Sequence, residues 1–235
     1  MEFLETKYLY FILLAFSFAY PLAQSFEWRL TYYKKWRHLF LGILVMMLIF
    51  IPWDIWFTKI SVWWFRSDYI SGIKLFNLPL EECLFFVIVP FACVFIYEVL
   101  NYFIKKDILK KIYTPFLLVL AIILFIVGVF NIEKLYTSIT FLSTATALIT
   151  VLIINPKWLS RFTLAYLVSL VPFLLINGIL TGSFIKNPIV NYNPDHILNI
   201  RIFTIPVEDS IYNMLMLLIV IATYEFSKTF ALRNS

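Results

Sequence analysis

The sequence predicts an all-α membrane protein of seven transmembrane helices, organised as two parallel three-helix repeats joined by a connecting helix. Three observations carry that reading. The 235 residues are 62% hydrophobic and only 14% charged, far more apolar surface than one soluble core could cover. Seven apolar runs approach the length needed to cross ~30 Å of hydrocarbon. An acidic motif and its surroundings recur at a constant distance along the chain.

The runs are Tyr8–Ala23, Leu39–Phe57, Pro79–Tyr102, Ile112–Phe130, Leu135–Ile154, Trp158–Leu180 and Ile205–Phe226. The first follows Glu2 and Glu5 rather than a positive segment, so it is expected to be a retained span rather than a cleaved leader. The second contains Pro52 and Asp54, and Trp53, Trp56, Trp63 and Trp64 around its end are expected to form an aromatic belt. The third opens on Pro79-Leu80-Glu81-Glu82 and the seventh on Pro206-Val207-Glu208-Asp209. One shift of 127 residues maps Glu81 onto Glu208, Glu82 onto Asp209, Tyr97 onto Tyr224 and Glu98 onto Glu225. Ile51-Pro52 matches Val171-Pro172 with a shift of 120, which pairs the second span with the sixth. Corresponding spans four apart share one orientation, related by an axis along the membrane normal. The fourth run has no ionisable residue between Tyr113 and Glu133 and is expected to be a lipid-facing connector. The division is therefore 1–111 for the first repeat, 112–130 for the connecting helix and 131–235 for the second repeat.

Sorting the 19 Lys and Arg by loop places 12 on the side of the C-terminus and 7 on the other. The positive-inside rule then puts the N-terminus outside and the C-terminus in the cytoplasm of a cell membrane. The basic excess follows the loops. No basic stripe with interleaved aromatics is present, and no nucleic-acid partner is expected. Cys83 and Cys93 lie about 15 Å apart along one helix, too far for a disulfide.

Carboxylates at membrane depth are costly and usually functional. Glu81 and Glu82 follow a proline at a helix start, where a cap or dipole role is the simplest reading. Duplication of the pair and the aromatic neighbours Phe85, Phe86 and Tyr212 favour chemistry instead. Adjacent helical residues point about 100° apart, so one acid of each pair is expected to act and the other to support it. A carboxyl in an apolar pocket beside a second one is driven towards its neutral form, the form a proton donor needs. Glu98 and Glu225, about 25 Å further along, are expected to be interface anchors near Lys105 and Lys228. Asn177 suits interhelical hydrogen bonding or substrate contact equally. His38 and His196 lack metal-ligand spacing and are expected at the interface.

Five glycines leave no dinucleotide fingerprint or phosphate loop, and no Cys/His cluster offers a zinc site. No cofactor or metal ligand is expected. The seventh span has no lysine before Lys228, which disfavours a retinal Schiff base.

Asn77-Leu78-Pro79-Leu80-Glu81-Glu82-Cys83-Leu84-Phe85-Phe86, and the stretch from Pro172 through Asn177-Gly178-Ile179-Leu180-Thr181-Gly182 and Tyr192-Asn193-Pro194 to Glu208-Asp209, resemble the small membrane lycopene cyclases. In that family two homologous short subunits act together or are fused. The resemblance covers nearly the whole chain, without the phytoene synthase part of the fungal fusions. It implies cyclisation of the linear ψ-ends of lycopene, or a related linear carotenoid, to β-ionone rings without redox change. Glu81, Glu82, Glu208 and Asp209 would then supply acid and base, with Phe85, Phe86, Asn177 and Tyr212 against the substrate. A carotenoid hydratase would use the same opening protonation, and a carotenoid- or retinal-binding protein would leave its pigment unchanged. The sequence does not fix the oligomeric state.

Overall fold

The computed structural model describes residues 6–233; Glu2 and Glu5, read above as arguing against a cleaved leader, lie outside them. Among the described residues all seven apolar runs are helices: α1 (Leu9–Gln24), α2 (Trp36–Lys59), α3 (Leu80–Phe103), α4 (Tyr113–Phe130), α5 (Leu135–Ile154), α6 (Leu159–Leu180) and α7 (Val207–Arg233). Six are long and apolar enough to cross a membrane. The first has 16 residues, about 24 Å of helix.

Helix limits depart from the apolar runs where polar chemistry intervenes. Ile205-Pro206 belongs to a strand rather than to α7, because their backbone pairs within a hairpin. At its other end α7 continues past Phe226 to Arg233, where Lys228 is ion-paired to Glu225 one turn back. Asn155 ends α5 in the left-handed region at φ 47°, a conformation asparagine tolerates better than most residues.

The loops before α3 and α7 are built alike. The first contains β1 (Trp63–Phe65), β2 (Lys74–Leu75) and β3 (Leu78–Pro79), and the second β4 (Val190–Tyr192), β5 (Arg201–Ile202) and β6 (Ile205–Pro206). Lys74 pairs with Pro79 in one hairpin and Arg201 with Pro206 in the other, again 127 residues apart. Phe76 and Phe203 both turn through positive φ, 57° and 56°. The two loops join through antiparallel β1 and β4, with Trp64 directly opposite Asn191, its counterpart under the same shift.

Packing interleaves the two halves. α1 lies on α3 and α5 on α7, but α2 packs chiefly on α7 and α6 on α3. The α2–α7 crossing is close at Gly42, where a Cβ would stand 2.6 Å from the carbonyl oxygen of Val220. α4 packs mainly on α5, with Gly128 over Leu142. Leu117, Ala121 and Leu124 are buried on the same face, and Leu118, Ile122, Phe125 and Val129 are exposed on the other.

Candidate functional site

Because α3 and α7 each start two residues before their second motif acid, Glu82 and Asp209 occupy the first helical turn. Negative charge is favoured there by the helix dipole and by unpaired N–H groups. The two acids of each motif point in different directions, and they do different things. Glu81 accepts the backbone N–H of Ser71 at 2.6 Å, and Glu208 accepts that of Leu198 at 2.7 Å. Both bonds tie the preceding loop to the helix start over a span of ten residues. Glu208 also accepts the Thr137 hydroxyl at 2.6 Å.

Glu82 and Asp209 face a common buried cavity of about 50 Å³. Tyr10 on α1 donates to Glu82 at 2.6 Å, and Tyr136 on α5 donates to Asp209 at 2.8 Å. The second carboxylate oxygen of Asp209 accepts Asn177 Nδ2 at 2.7 Å and the Tyr192 hydroxyl at 2.8 Å. Tyr192 sits in the loop outside the helices. Burial first, and then the neighbouring Asp209 carboxylate, push its phenol well above the ordinary tyrosine range, so it remains a donor. Asp54 of α2 lines the same cavity and accepts the indole N–H of Trp63 at 2.6 Å. Both halves of the chain thus contribute to one chamber.

Its walls are aromatic. Tyr136 and Tyr192 stack at 5.9 Å with 7° between their planes, and Trp63 meets Tyr136 edge-on at 5.0 Å. On one side Tyr212 is backed by Phe50 and Trp53 at 4.8 and 5.3 Å. On the other, Phe85, Phe173 and Asn177 belong both to the cavity and to an apolar groove of about 480 Å³ between α1, α3 and α6.

Of the residues expected to contact substrate, Phe85, Asn177 and Tyr212 line the cavity. Phe86 lies outside that lining, packed against Phe85 and Phe50 at 5.9 and 6.1 Å. Next to Phe85 on the helix, it turns about 100° away. Trp63, expected in an aromatic belt, is buried beside Asp54, because β1 folds it back over the chamber. Tyr10 and Tyr136 were not anticipated, although their spacing of 126 almost repeats the motif shift.

At the opposite end of the bundle, Glu98 is buried rather than interfacial. It pairs with Lys35 and Lys228, not with Lys105, which instead lies 4.8 Å from the Tyr102 ring. Tyr224 donates to Glu98 at 2.6 Å and Tyr97 to Glu225 at 3.1 Å, so each half hydrogen-bonds the other. His38 is likewise buried, within 2.7 Å of the Ser227 hydroxyl.

A family model described as lycopene cyclase matches residues 7–100 and 133–227. Among curated proteins, the bifunctional lycopene cyclase/phytoene synthase of Podospora anserina is 34% identical over 59 residues, 25% of this chain and 10% of that protein. The protein of the same name from Arthroderma gypseum is 35% identical over 51 residues, 22% of this chain and 9% of its own length. A third, from Colletotrichum graminicola, matches with the same identity and coverage. The chain therefore spans about a tenth of the length of these relatives in the matched stretches. No solved structure matches.

Proposed function

This chain belongs to the lycopene cyclase family, and we propose that it closes the linear ψ-ends of lycopene into β-ionone rings, giving γ- or β-carotene as an isomerase. The observation that carries the reading is the meeting of Glu82 and Asp209, one motif acid from each half, in a single aromatic chamber that joins an apolar groove.

A neutral carboxyl of the chamber gives its proton to C2 of the terminal C1=C2 double bond, whose electron pair forms the new C–H bond. The tertiary cation left at C1 is attacked by the C5=C6 pair, which joins C1 to C6 and moves the cation to C5. Loss of the C6 proton to a carboxylate restores the C5=C6 double bond. Atoms and charge balance without an oxidant or reductant. Glu82 and Asp209 serve the cationic stages as fixed negative charge, and one of them takes the C6 proton. Glu81 and Glu208 hold the two loops that roof the chamber. Faces of Phe85, Tyr136 and Tyr212 stabilise the cation, and burial excludes the water that would trap it.

The polyene lies in the groove, and its end group enters past Phe85 and Phe173. The chain is placed in the membrane as two cyclase repeats, 1–111 and 131–235, joined by 112–130, with the N-terminus outside and the C-terminus cytoplasmic. A complete chamber within one chain supports action without a second subunit.

Expression alone in lycopene-accumulating bacteria, with chromatography and mass detection of the pigments, tests the proposal. Cyclised product at unchanged mass is expected. Unchanged lycopene, with the protein confirmed in the membrane, would leave a carotenoid-binding role. A product heavier by one water would mark a hydratase.

A further inference from the structure

We propose that Asp54, an acid outside both repeated motifs, is the neutral carboxylic acid that delivers the proton in this chamber. The inference rests on the cyclase reading for its substrate and on the geometry of the cavity for everything else.

Three carboxyl groups line about 50 Å³ of buried space: Asp54, Glu82 and Asp209. At 1%, 9% and 4% exposure, burial from bulk solvent disfavours charge on all three at once. The supply of hydrogen-bond donors decides which keep their charge, because donors to a carboxylate favour its ionised form. Asp209 receives three and stands in the first turn of α7. Glu82 receives the Tyr10 hydroxyl and stands in the first turn of α3. Asp54 has neither advantage in full. It lies towards the C-terminal, negative end of α2 and takes only the Trp63 indole, on Oδ1.

The remaining oxygen of Asp54, Oδ2, is buried without a hydrogen-bond partner among the described residues. A carboxylate oxygen left in that state is costly. A neutral carboxyl with its O–H directed into the chamber removes the charge, and no protein acceptor holds the proton back from an alkene. The Tyr212 hydroxyl, also unpartnered, shares the chamber but is too weak an acid for the step.

Asp54 further breaks the internal symmetry. Under the shift of 120 that superposes Pro52 on Pro172, its counterpart is Leu174. The duplicated motifs therefore provide paired carboxylates, and the first half alone provides the acid. In the step itself, the Oδ2–H bond breaks towards C2 and leaves Asp54 as carboxylate. The C6 proton passes to Asp209 or Glu82 and returns to Asp54 before the next turnover, with no net change.

The test uses the full chain in lipid nanodiscs, with lycopene conversion and lycopene binding measured separately. Asp54→Asn keeps an oxygen for Trp63 but has no proton to give. Its kcat is expected to fall at least about 100-fold with binding unchanged, and Asp54→Glu to recover part of the loss. Trp63→Phe, which removes only the indole donor, is expected to cost far less. Retention of kcat within about threefold in Asp54→Asn, or an equal loss in Trp63→Phe, would overturn the proposal. Infrared spectra of the chain carrying 13C-labelled aspartate leave Asp54 itself intact. A protonated aspartic C=O band at neutral pH is expected, persisting in Asp209→Asn. Its absence would overturn the assignment to Asp54 even if cyclisation is observed, whereas a wild-type chain that converts no lycopene would overturn the cyclase reading itself.

Discussion

Replacing Asp209 separates its structural work from its chemical work. Its two oxygens accept Tyr136 at 2.8 Å on one side, and Asn177 at 2.7 Å and Tyr192 at 2.8 Å on the other. Leucine removes every acceptor. Each buried donor left unsatisfied costs about 1–3 kcal/mol, so three leave a loss on the order of 3–9 kcal/mol. Asparagine behaves differently. With its amide oxygen towards Asn177 and Tyr192, its NH2 can donate to Tyr136, whose hydroxyl rotates to accept. All three contacts survive, and the expected loss of stability is below about 1 kcal/mol. Thermal unfolding of the two variants in the same detergent should therefore differ by roughly 4 °C or more, taking 2–4 °C per kcal/mol for a chain of this size. Activity should not follow stability, because Asp209→Asn also loses the charge facing the cation and is expected to drop turnover by about 100-fold or more. Equal unfolding temperatures for the two variants would refute the hydrogen-bond argument. Full activity in a well-folded Asp209→Asn would refute the catalytic one.

Other substitutions probe the remaining pieces of the argument. Glu81→Gln and Glu208→Gln retain an oxygen for the Ser71 and Leu198 N–H groups, so turnover measured beside Glu82→Gln should be affected less, within about tenfold. Gly42→Ala places a methyl 2.6 Å from the Val220 carbonyl oxygen and should destabilise the α2–α7 contact by about 1–3 kcal/mol, read as a lower unfolding temperature. Phe85→Trp enlarges a side chain shared by chamber and groove and should raise KM for lycopene while leaving the unfolding temperature nearly unchanged. Glu98→Leu strands the fully buried Tyr224 hydroxyl and frees Lys35, while Lys228 keeps Glu225. Unfolding should show a loss of about 1–3 kcal/mol, with turnover of the remaining folded protein preserved, since this cluster is at the far end of the bundle.

Much of this architecture is visible in the chain before folding is considered. Length and apolarity identify the helices because an isolated span must satisfy its backbone internally in lipid. Recurrence at 127 residues places Glu81 with Glu208 and Glu82 with Asp209 through arithmetic alone. The angle between consecutive helical residues already separates each pair into two directions. What periodicity could not assign was the direction itself. Glu82 and Asp209 look inward because the loop N–H groups of Ser71 and Leu198 hold their neighbours. Those bonds come from loop residues between the apolar runs, just ahead of the hairpins that pair Lys74 with Pro79 and Arg201 with Pro206. Trp63 and Glu98 were misplaced for a related reason: charge or an indole near the end of an apolar run reads as interfacial, yet β1 and the Lys35–Glu98–Lys228 pairing bury both.

By itself the sequence determined the membrane setting, the helices and the duplication, since each depends on local composition or on comparison of the chain with itself. Tertiary structure alone decided that α2 crosses to α7 and α6 to α3, so that the halves interlock instead of standing side by side. That exchange brings Asp54 of α2 against α7, while Tyr10 and Tyr136 reach the motif acids from α1 and α5 of the same half. Burial in one small volume then makes three carboxyl groups compete for charge. No residue carries that competition alone, because it arises from burial away from bulk solvent and the uneven supply of donors around them.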